Sequence, residues 1–115
     1  MEHYDWNGIE EEQLNPHVRR RVIHSRNLTI ARLRIDKGAV VPEHSHINEQ
    51  IAMVERGALK FVIAGREQIV RAGEAVVVPP GASHFVEALE ETTVTDIFSP
   101  PREDWQRGDD AYLRR

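Results

Sequence analysis

Two histidines one residue apart, in the stretch HSHINEQ (44–50), have the residue type and spacing of a candidate metal site. Side chains two residues apart share a face of an extended strand, so His44, His46 and Gln50 point one way and Glu49 points the other. Backbone pleating therefore favours Gln50 over Glu49 as the partner of the histidines, unless a bulge reverses the order. The competing interpretation is a pair of surface histidines on a strand, with no metal.

A second ordered pattern, GEAVVVPPGASH (73–84), supports the metal interpretation. Its glycines and prolines are turn-forming residues, so we expect His84 to begin a new strand directly after a rigid turn. A third imidazole delivered in this way would complete a site for one divalent transition metal. Nickel, zinc, manganese and iron all suit imidazole ligands, and the sequence does not choose among them.

Short β-strands are the elements that must position these residues. Segments with alternating apolar and polar residues, rich in Val, Ile, Thr and Phe, are separated by turn signals and cover 28–35, 50–55, 58–64, 67–72, 75–79, 84–89 and 93–98. This pattern predicts an all-β fold, an antiparallel barrel or sandwich. The length of 115 residues suits a single domain. Within it we expect an N-terminal arm (1–17), a barrel (18–100) and a charged C-terminal tail (101–115) with one short helical turn.

Composition narrows the function classes. The net charge of −4 disfavours a nucleic-acid or anionic-membrane partner, and the lack of cysteine excludes disulfides and thiolate metal sites. No apolar run approaches the roughly 20 residues of a membrane span, and the polar start does not resemble a signal peptide, so we expect a soluble cytoplasmic protein. We interpret the run Arg19-Arg20-Arg21 as the solvated face of a strand end. For Arg32 and Arg34 we favour solvated strand positions over a role in holding an anion.

The segment TDIFSPPRED (95–104) carries the second candidate constellation. Asp96 and Phe98 share one face of the last strand, and burying an aspartate there is costly unless it is paired or functional. Arg102 follows a double proline that restricts its direction. The structural alternatives are an Asp96 that pairs with an arginine or a turn amide, and an Arg102 in a surface salt bridge with Glu103 or Asp104.

The spacing of these residues resembles the two motifs of the cupin superfamily. Motif 1 (38–57), G-x5-H-x-H-x3-(E/Q)-x6-G, is matched by Gly38, His44, His46, Gln50 and Gly57, and motif 2 (73–88), G-x5-P-x-G-x2-H-x3-N, by Gly73, Pro79, Gly81 and His84. Gln50 stands where glutamate is usual, and Ala88 replaces the usual asparagine. The resemblance implies a double-stranded β-helix, a jelly-roll barrel, with one metal ion near its mouth held by His44, His46, Gln50 and His84. A barrel that has lost its metal is the alternative.

The first motif together with the DIFSPPRED ending resembles the KdgF-type pectin-degradation cupins. That resemblance implies action on 4,5-unsaturated monouronates released from pectin or alginate, with opening of the ring to linear 5-keto-4-deoxyuronate. It further implies that Asp96 and Arg102 are catalytic and that Phe98 and Arg102 bind the substrate, a small anionic sugar acid. A homodimer is expected, because pairing would cover exposed sheet edges.

Two other function classes stay open on the sequence. One is a different metal-binding cupin enzyme, such as a dioxygenase or a sugar isomerase. The other is a non-catalytic barrel that binds a small molecule, since a fold does not determine a function.

Overall fold

Two antiparallel sheets face each other in the computed structural model, which describes residues 1–115. The ten strands are β1 (Glu12–Asn15), β2 (Val18–His24), β3 (Thr29–Ile35), β4 (Val40–His44), β5 (Glu49–Arg56), β6 (Ala58–Ile63), β7 (Arg66–Arg71), β8 (Ala75–Val78), β9 (His84–Ala88) and β10 (Thr92–Ser99). Six strands form one sheet in the order β1-β2-β3-β10-β5-β8, and four form the other in the order β4-β9-β6-β7. The predicted all-β class is therefore confirmed, and each of the seven predicted strands corresponds to one observed strand.

The core lies between the two sheets and follows the period-2 alternation of the sequence. In β3 the inward side chains Ala31, Leu33 and Ile35 are buried, and the arginines between them lie on the outer surface. Arg32 pairs with Glu55 at 2.9 Å and Arg34 with Glu11 at 2.7 Å. The expectation that both arginines are solvated is thus correct.

The interpretation of the basic run in β2 is wrong at its central residue. The strand continues through the run, and Arg20 lies opposite Leu33 on the inward face, where it is only 3% exposed. Its guanidinium carbon lies 4.5 Å from the ring centroid of Trp105, and its Nη2 contacts Asp110 at 2.9 Å. An arginine can be buried in this way when an aromatic face and carboxylates replace its water.

Both ends of the chain pack against the barrel. Strand β1 pairs with β2, so the N-terminal segment adds an edge to the six-stranded sheet. The C-terminal segment contains helix α1 (Glu103–Gln106) and a 3-10 turn (Ala111–Leu113), and Trp105 and Leu113 belong to the hydrophobic core. This segment covers the end of the barrel at which β4 stops and β9 starts. Neither helical element is long or apolar enough to cross a membrane.

Candidate metal centre and cavity

The three predicted histidines come together at one end of the barrel. His44 ends β4 and His84 begins β9, and the two residues lie opposite each other in the antiparallel pair. Their ring centroids are 4.1 Å apart, and the ring of His46, in the turn after β4, is 4.9 Å from that of His84. One ligand nitrogen from each ring lies within 4.8 Å of the others. This arrangement suits one shared ion.

Each imidazole is oriented by a backbone carbonyl two residues away in its own chain segment. The Nδ1 atoms of His44, His46 and His84 lie 2.7, 3.0 and 2.9 Å from the carbonyl oxygens of Pro42, Asn48 and Ala82. A carbonyl oxygen only accepts, so each Nδ1 carries the proton and donates it. The proton-free Nε2 atoms are then available as ligand atoms, in the orientation that a metal-binding histidine requires.

Gln50 faces the same site, although the reason given for it from the sequence holds only in part. Residues 45–48 form a turn, so the segment is not one continuous strand. Gln50 nevertheless points inward from β5 and is 6% exposed, while Glu49 is exposed. The Oε1 of Gln50 lies 3.2 Å from Nε2 of His46.

That 3.2 Å separation supports a metal site. With the proton on Nδ1, the Nε2 of His46 and the Oε1 of Gln50 both present lone pairs, so no hydrogen bond joins them. Metal bonds of about 2.1 Å place neighbouring ligand atoms about 3.0 Å apart at a right angle. Three imidazole nitrogens and one amide oxygen therefore fit a divalent transition metal.

The protein environment keeps these imidazoles neutral. Desolvation lowers the pKa of His44 and of His46 to about 4, and it also lowers the pKa of His84. The positive charge of Arg102 acts in the same direction on all three rings. Neutral imidazoles are the form that binds a metal, so no proton has to be removed from the ligands at pH 7.

Asp96 lies in the inner cavity beside the histidines and is the only carboxylate that lines it. On the adjacent strands it faces Ala31 and Ala52, whose small side chains leave room next to the carboxyl group. Burial raises the pKa of Asp96 to about 7, opposed by the Gln50 amide and the charge of Arg102. Asp96 forms no ion pair with any arginine, which argues against the structural alternative.

Arg102 lines the same cavity and is 1% exposed. Its Nε and Nη2 atoms donate to the two carboxylate oxygens of Asp104 at 3.0 and 2.9 Å, and Nη2 also donates to the hydroxyl of Tyr112 at 2.7 Å. The guanidinium carbon lies 4.7 Å from the ring centroid of Phe98. The salt bridge with Asp104 that the sequence offered as an alternative does exist, but at a buried arginine. The Nη1 atom has no acceptor within the protein.

Two residues of the site were not identified from the sequence. Tyr112 holds Arg102 together with Asp104, and the ring centroid of Trp105 lies 4.3 Å from its guanidinium carbon. The sequence did contain a signal for them, namely two aromatic residues in an otherwise charged tail, because aromatic side chains in such a segment usually pack against the rest of the protein. Asn48 also has an unexpected role: its amide donates to the carbonyl oxygens of Pro100 and Pro101 at 2.6 and 3.2 Å, which joins the histidine turn to the segment before Arg102.

Comparison with known proteins gives consistent matches in sequence and in fold. The Cupin domain family matches residues 31–98. The pectin degradation protein KdgF of Dickeya dadantii (strain 3937) is 36% identical over 97 residues, which cover 82% of this chain and 88% of that protein. The solved structure of KdgF from Halomonas sp. has a TM-score of 0.85 at 29% identity and covers 91% of this chain and 98% of the other. An RmlC-like cupin from Shewanella frigidimarina NCIMB 400 has a TM-score of 0.84 at 27% identity, with 91% and 96% of the two chains covered.

The family match includes the three histidines, Gln50, Asp96 and Phe98, and it ends before Arg102. Both resemblances inferred from the motifs are confirmed by these comparisons.

Proposed function

Because the chain belongs to the Cupin domain family and is similar to KdgF proteins along most of its length, we propose that it is a metal-dependent enzyme of uronate breakdown. Its substrate would be a 4,5-unsaturated monouronate from pectin or alginate, and its product linear 5-keto-4-deoxyuronate. The observation that carries this proposal is one cavity that is lined by two members of the three-histidine cluster, His44 and His84, together with a carboxylate, an arginine and a phenylalanine. A sugar acid that opens its ring needs a group to bind its carboxylate and a group to move its protons.

His44, His46, His84 and Gln50 would hold the metal, through three Nε2 atoms and one amide oxygen. A bound divalent ion would act there as a Lewis acid that polarises an oxygen of the substrate. All four ligands are neutral, so the full charge of the ion would be uncompensated and would favour an anionic substrate. A glutamate at position 50 would cancel one unit of that charge.

Arg102 would bind the substrate carboxylate. Its Nε–Nη2 edge is occupied by Asp104, and the free Nη1 is the donor left for a ligand. Asp104 and Tyr112 fix the plane of the guanidinium, so little side-chain freedom is lost when the substrate binds. Phe98 packs edge-on against His46, with 5.6 Å between the ring centroids, and gives the cavity an apolar wall that excludes water.

Asp96 would carry the protons of the reaction. Loss of the proton of the anomeric hydroxyl forms the aldehyde at C1 and breaks the bond between C1 and the ring oxygen, which leaves an enolate at C5. A proton then adds to C4 and the enolate becomes the 5-keto group, so the reaction is an isomerisation without an external oxidant. Asp96 is the carboxylate within the cavity that can accept the first proton and return one to C4.

The test follows the loss of ultraviolet absorbance of the conjugated C4=C5 bond in freshly lyase-generated unsaturated monouronate. We expect metal-loaded wild type to accelerate this loss over a control without protein. His46→Ala should lose metal and activity together. Asp96→Asn should keep its metal but lose at least 100-fold of the rate, in the range typical of a lost general acid–base.

Glu67→Gln is the matched control, because it removes the same charge from an exposed carboxylate outside the cavity. Full activity in Asp96→Asn would exclude the proton-carrying role. No acceleration by wild type would exclude the ring-opening function and direct attention to a carrier function, whereas oxygen uptake with bound iron would indicate a dioxygenase.

We further propose a cytoplasmic homodimer. A chain without cysteine is compatible with the reducing cytoplasm. Strand β8 is an edge of the six-stranded sheet and exposes Val77, and pairing of such an edge with a second copy would cover it. Light scattering of the purified protein and fractionation of the cells test the two parts, and a monomeric mass would exclude the dimer.

A further inference from the structure

We infer that Tyr112 is an additional substrate-binding residue, whose hydroxyl donates to the same carboxylate that Arg102 binds. The segment that carries it, residues 109–115, closes over the bound sugar acid. This inference rests on the proposed function for the nature of the ligand. The hydrogen bonds of Tyr112 and the size of the cavity carry it.

The Tyr112 hydroxyl has one hydrogen bond left to make, and it is a donor bond. The oxygen accepts from Nη2 of Arg102 at 2.7 Å and from Nε1 of Trp105 at 3.2 Å. A phenol has one O–H proton besides its acceptor lone pairs, and this proton has no acceptor within the protein. Arg102 is in the same condition, because its Nη1 is also without an acceptor.

These two free donors lie on one cavity and are joined by the 2.7 Å bond between Arg102 and Tyr112. The carboxylate of Asp104 binds the Nε–Nη2 edge of the guanidinium and therefore does not occupy Nη1. Asp96 receives no hydrogen bond from either donor, so no protein carboxylate competes for them. Two neighbouring donors on residues that line one cavity, one of them charged, are complementary to a carboxylate with two oxygens.

The cavity in its present shape is too small for a six-carbon acid. Its volume is about 50 Å³, whereas pockets for small organic ligands span about 300–1,000 Å³. Tyr112 and Leu113 form part of its wall, and the ring of Tyr112 lies 4.5 Å from that of His44. Movement of this wall would give an acid of that size room beside Asp96 and Arg102.

The chain geometry allows residues 109–115 to move while helix α1 stays in place. Gly108 follows helix α1 with a φ of +84°, and a Cβ at this position would meet nothing within 4 Å. Trp105 remains anchored against Phe98, with ring centroids 5.1 Å apart. Beyond the glycine, the segment is held by Leu113 in the hydrophobic core and by polar contacts, among them the pair of Arg20 with Asp110 at 2.9 Å. Movement of the segment must break these contacts, whereas the contacts of helix α1 can remain.

The first experiment compares Tyr112→Phe with wild type, both metal-loaded, by calorimetric titration with galacturonate, a saturated uronate that cannot undergo the reaction. Galactose is the uncharged probe, and Tyr4→Phe is the matched control, since it removes the other, exposed tyrosine hydroxyl. We expect Tyr112→Phe to bind galacturonate about tenfold more weakly, the effect of one hydrogen bond to a charged group. Galactose binding and metal content should not change, because the ring that packs on His44 is retained.

On the unsaturated substrate, Tyr112→Phe should raise KM more than it lowers kcat. Tyr112→Gln, which restores a donor, should recover part of the galacturonate affinity. Equal galacturonate affinity in Tyr112→Phe and wild type would overturn the binding role. Closure is measured by trypsin cleavage after Arg107, which galacturonate should slow several-fold in wild type and galactose should not. Cleavage at the same rate with and without galacturonate would overturn closure.

The outcomes separate this inference from the proposed function. Ring opening by wild type, with unchanged galacturonate affinity in Tyr112→Phe, would refute the role of Tyr112 alone. Weakened galacturonate binding in Tyr112→Phe, with no ring opening by wild type, would refute the proposed reaction and retain the carboxylate site.

Discussion

Asp104→Asn is expected to destabilise the protein much more than its position next to solvent suggests. Asp104 keeps 30% of its side chain exposed, but it accepts two hydrogen bonds from a guanidinium that is almost fully buried. Loss of one partner of a buried pair costs about 3–5 kcal/mol, because the other charge is left without compensation. Asparagine keeps one acceptor oxygen and the site is partly hydrated, so we expect the free energy of unfolding to fall by about 2 kcal/mol.

Thermal unfolding provides the assay. With an unfolding entropy of about 2.1 cal/mol/K per residue, a loss of about 2 kcal/mol lowers the Tm of a chain of this length by about 8 °C. Asp109→Asn is the matched control, since its pair with Arg107 has the same charges at 3.2 Å, but both side chains are more than 60% exposed. Exposed pairs contribute about 0.5 kcal/mol or less, which corresponds to a fall of about 2 °C.

Equal, small shifts of Tm in Asp104→Asn and Asp109→Asn would refute the reasoning. Such a result would mean that Tyr112 and the aromatic rings hold Arg102 without Asp104. Urea denaturation at one temperature should give the same order of stabilities, and the m-value should not change if only the native contacts are affected.

Two further predictions concern acid stability and the glycine at the end of motif 1. Burial opposes ionisation of Asp110, but hydrogen bonds from two arginines outweigh it and lower its pKa. The contribution of Asp110 to stability is therefore complete above the unfolded pKa, about 4, and is lost as the pH falls through the folded pKa. Urea denaturation between pH 7 and 3 should show that the free energy of unfolding falls more steeply for wild type than for Asp110→Asn. Parallel curves would contradict this. Gly57→Ala places a Cβ 2.3 Å from the carbonyl oxygen of Glu91 at a φ of +89°, and we expect it to lose about 3–5 kcal/mol. Gly65 also has a positive φ, but a Cβ there would meet open space, so Gly65→Ala should lower the free energy of unfolding by only about 1–2 kcal/mol. Equal losses in the two variants would show that the structure relieves the contact at position 57.

The barrel strands were predictable because their alternation is a local property of the sequence. Apolar and charged residues alternate along β3 in step with the pleat, so the inward position of Leu33 follows from parity. In β10 the adjacent apolar residues Ile97 and Phe98 break the alternation, and parity shows only that Phe98 shares a face with Asp96. Strand β4 was harder to identify, because Pro42 interrupts its pattern and its last residue is a candidate metal ligand. The histidines were identified from the spacing of the motifs, because a turn and the register of the strand pair fix their positions along the chain.

The parts that could not be predicted depend on contacts between distant segments. Arg20 is buried because Trp105 and Asp110, 85 or more residues further along the chain, cover it. No local pattern distinguishes such an arginine from a solvated neighbour. The role of Tyr112 has the same origin, since its partners lie in helix α1 and in β4. Gln50 was assigned to the site on the assumption that residues 44–50 are extended, whereas the chain turns at 45–48. Gln50 faces inward because β5 pairs with β10 in the observed register.

The short hydrogen bonds that orient the imidazoles have a consequence for the order of assembly. Each ring is fixed by a carbonyl only two residues away, so its direction is set as soon as the backbone of that strand end or turn is formed. The three candidate ligand rings are therefore oriented without an ion, and folding would not have to wait for a metal. Occupancy then adds stability by mass action, in proportion to the free ion concentration. The identity of the bound ion would then depend on the concentrations of the available metal ions and on their affinities for the ligands, after the chain has folded.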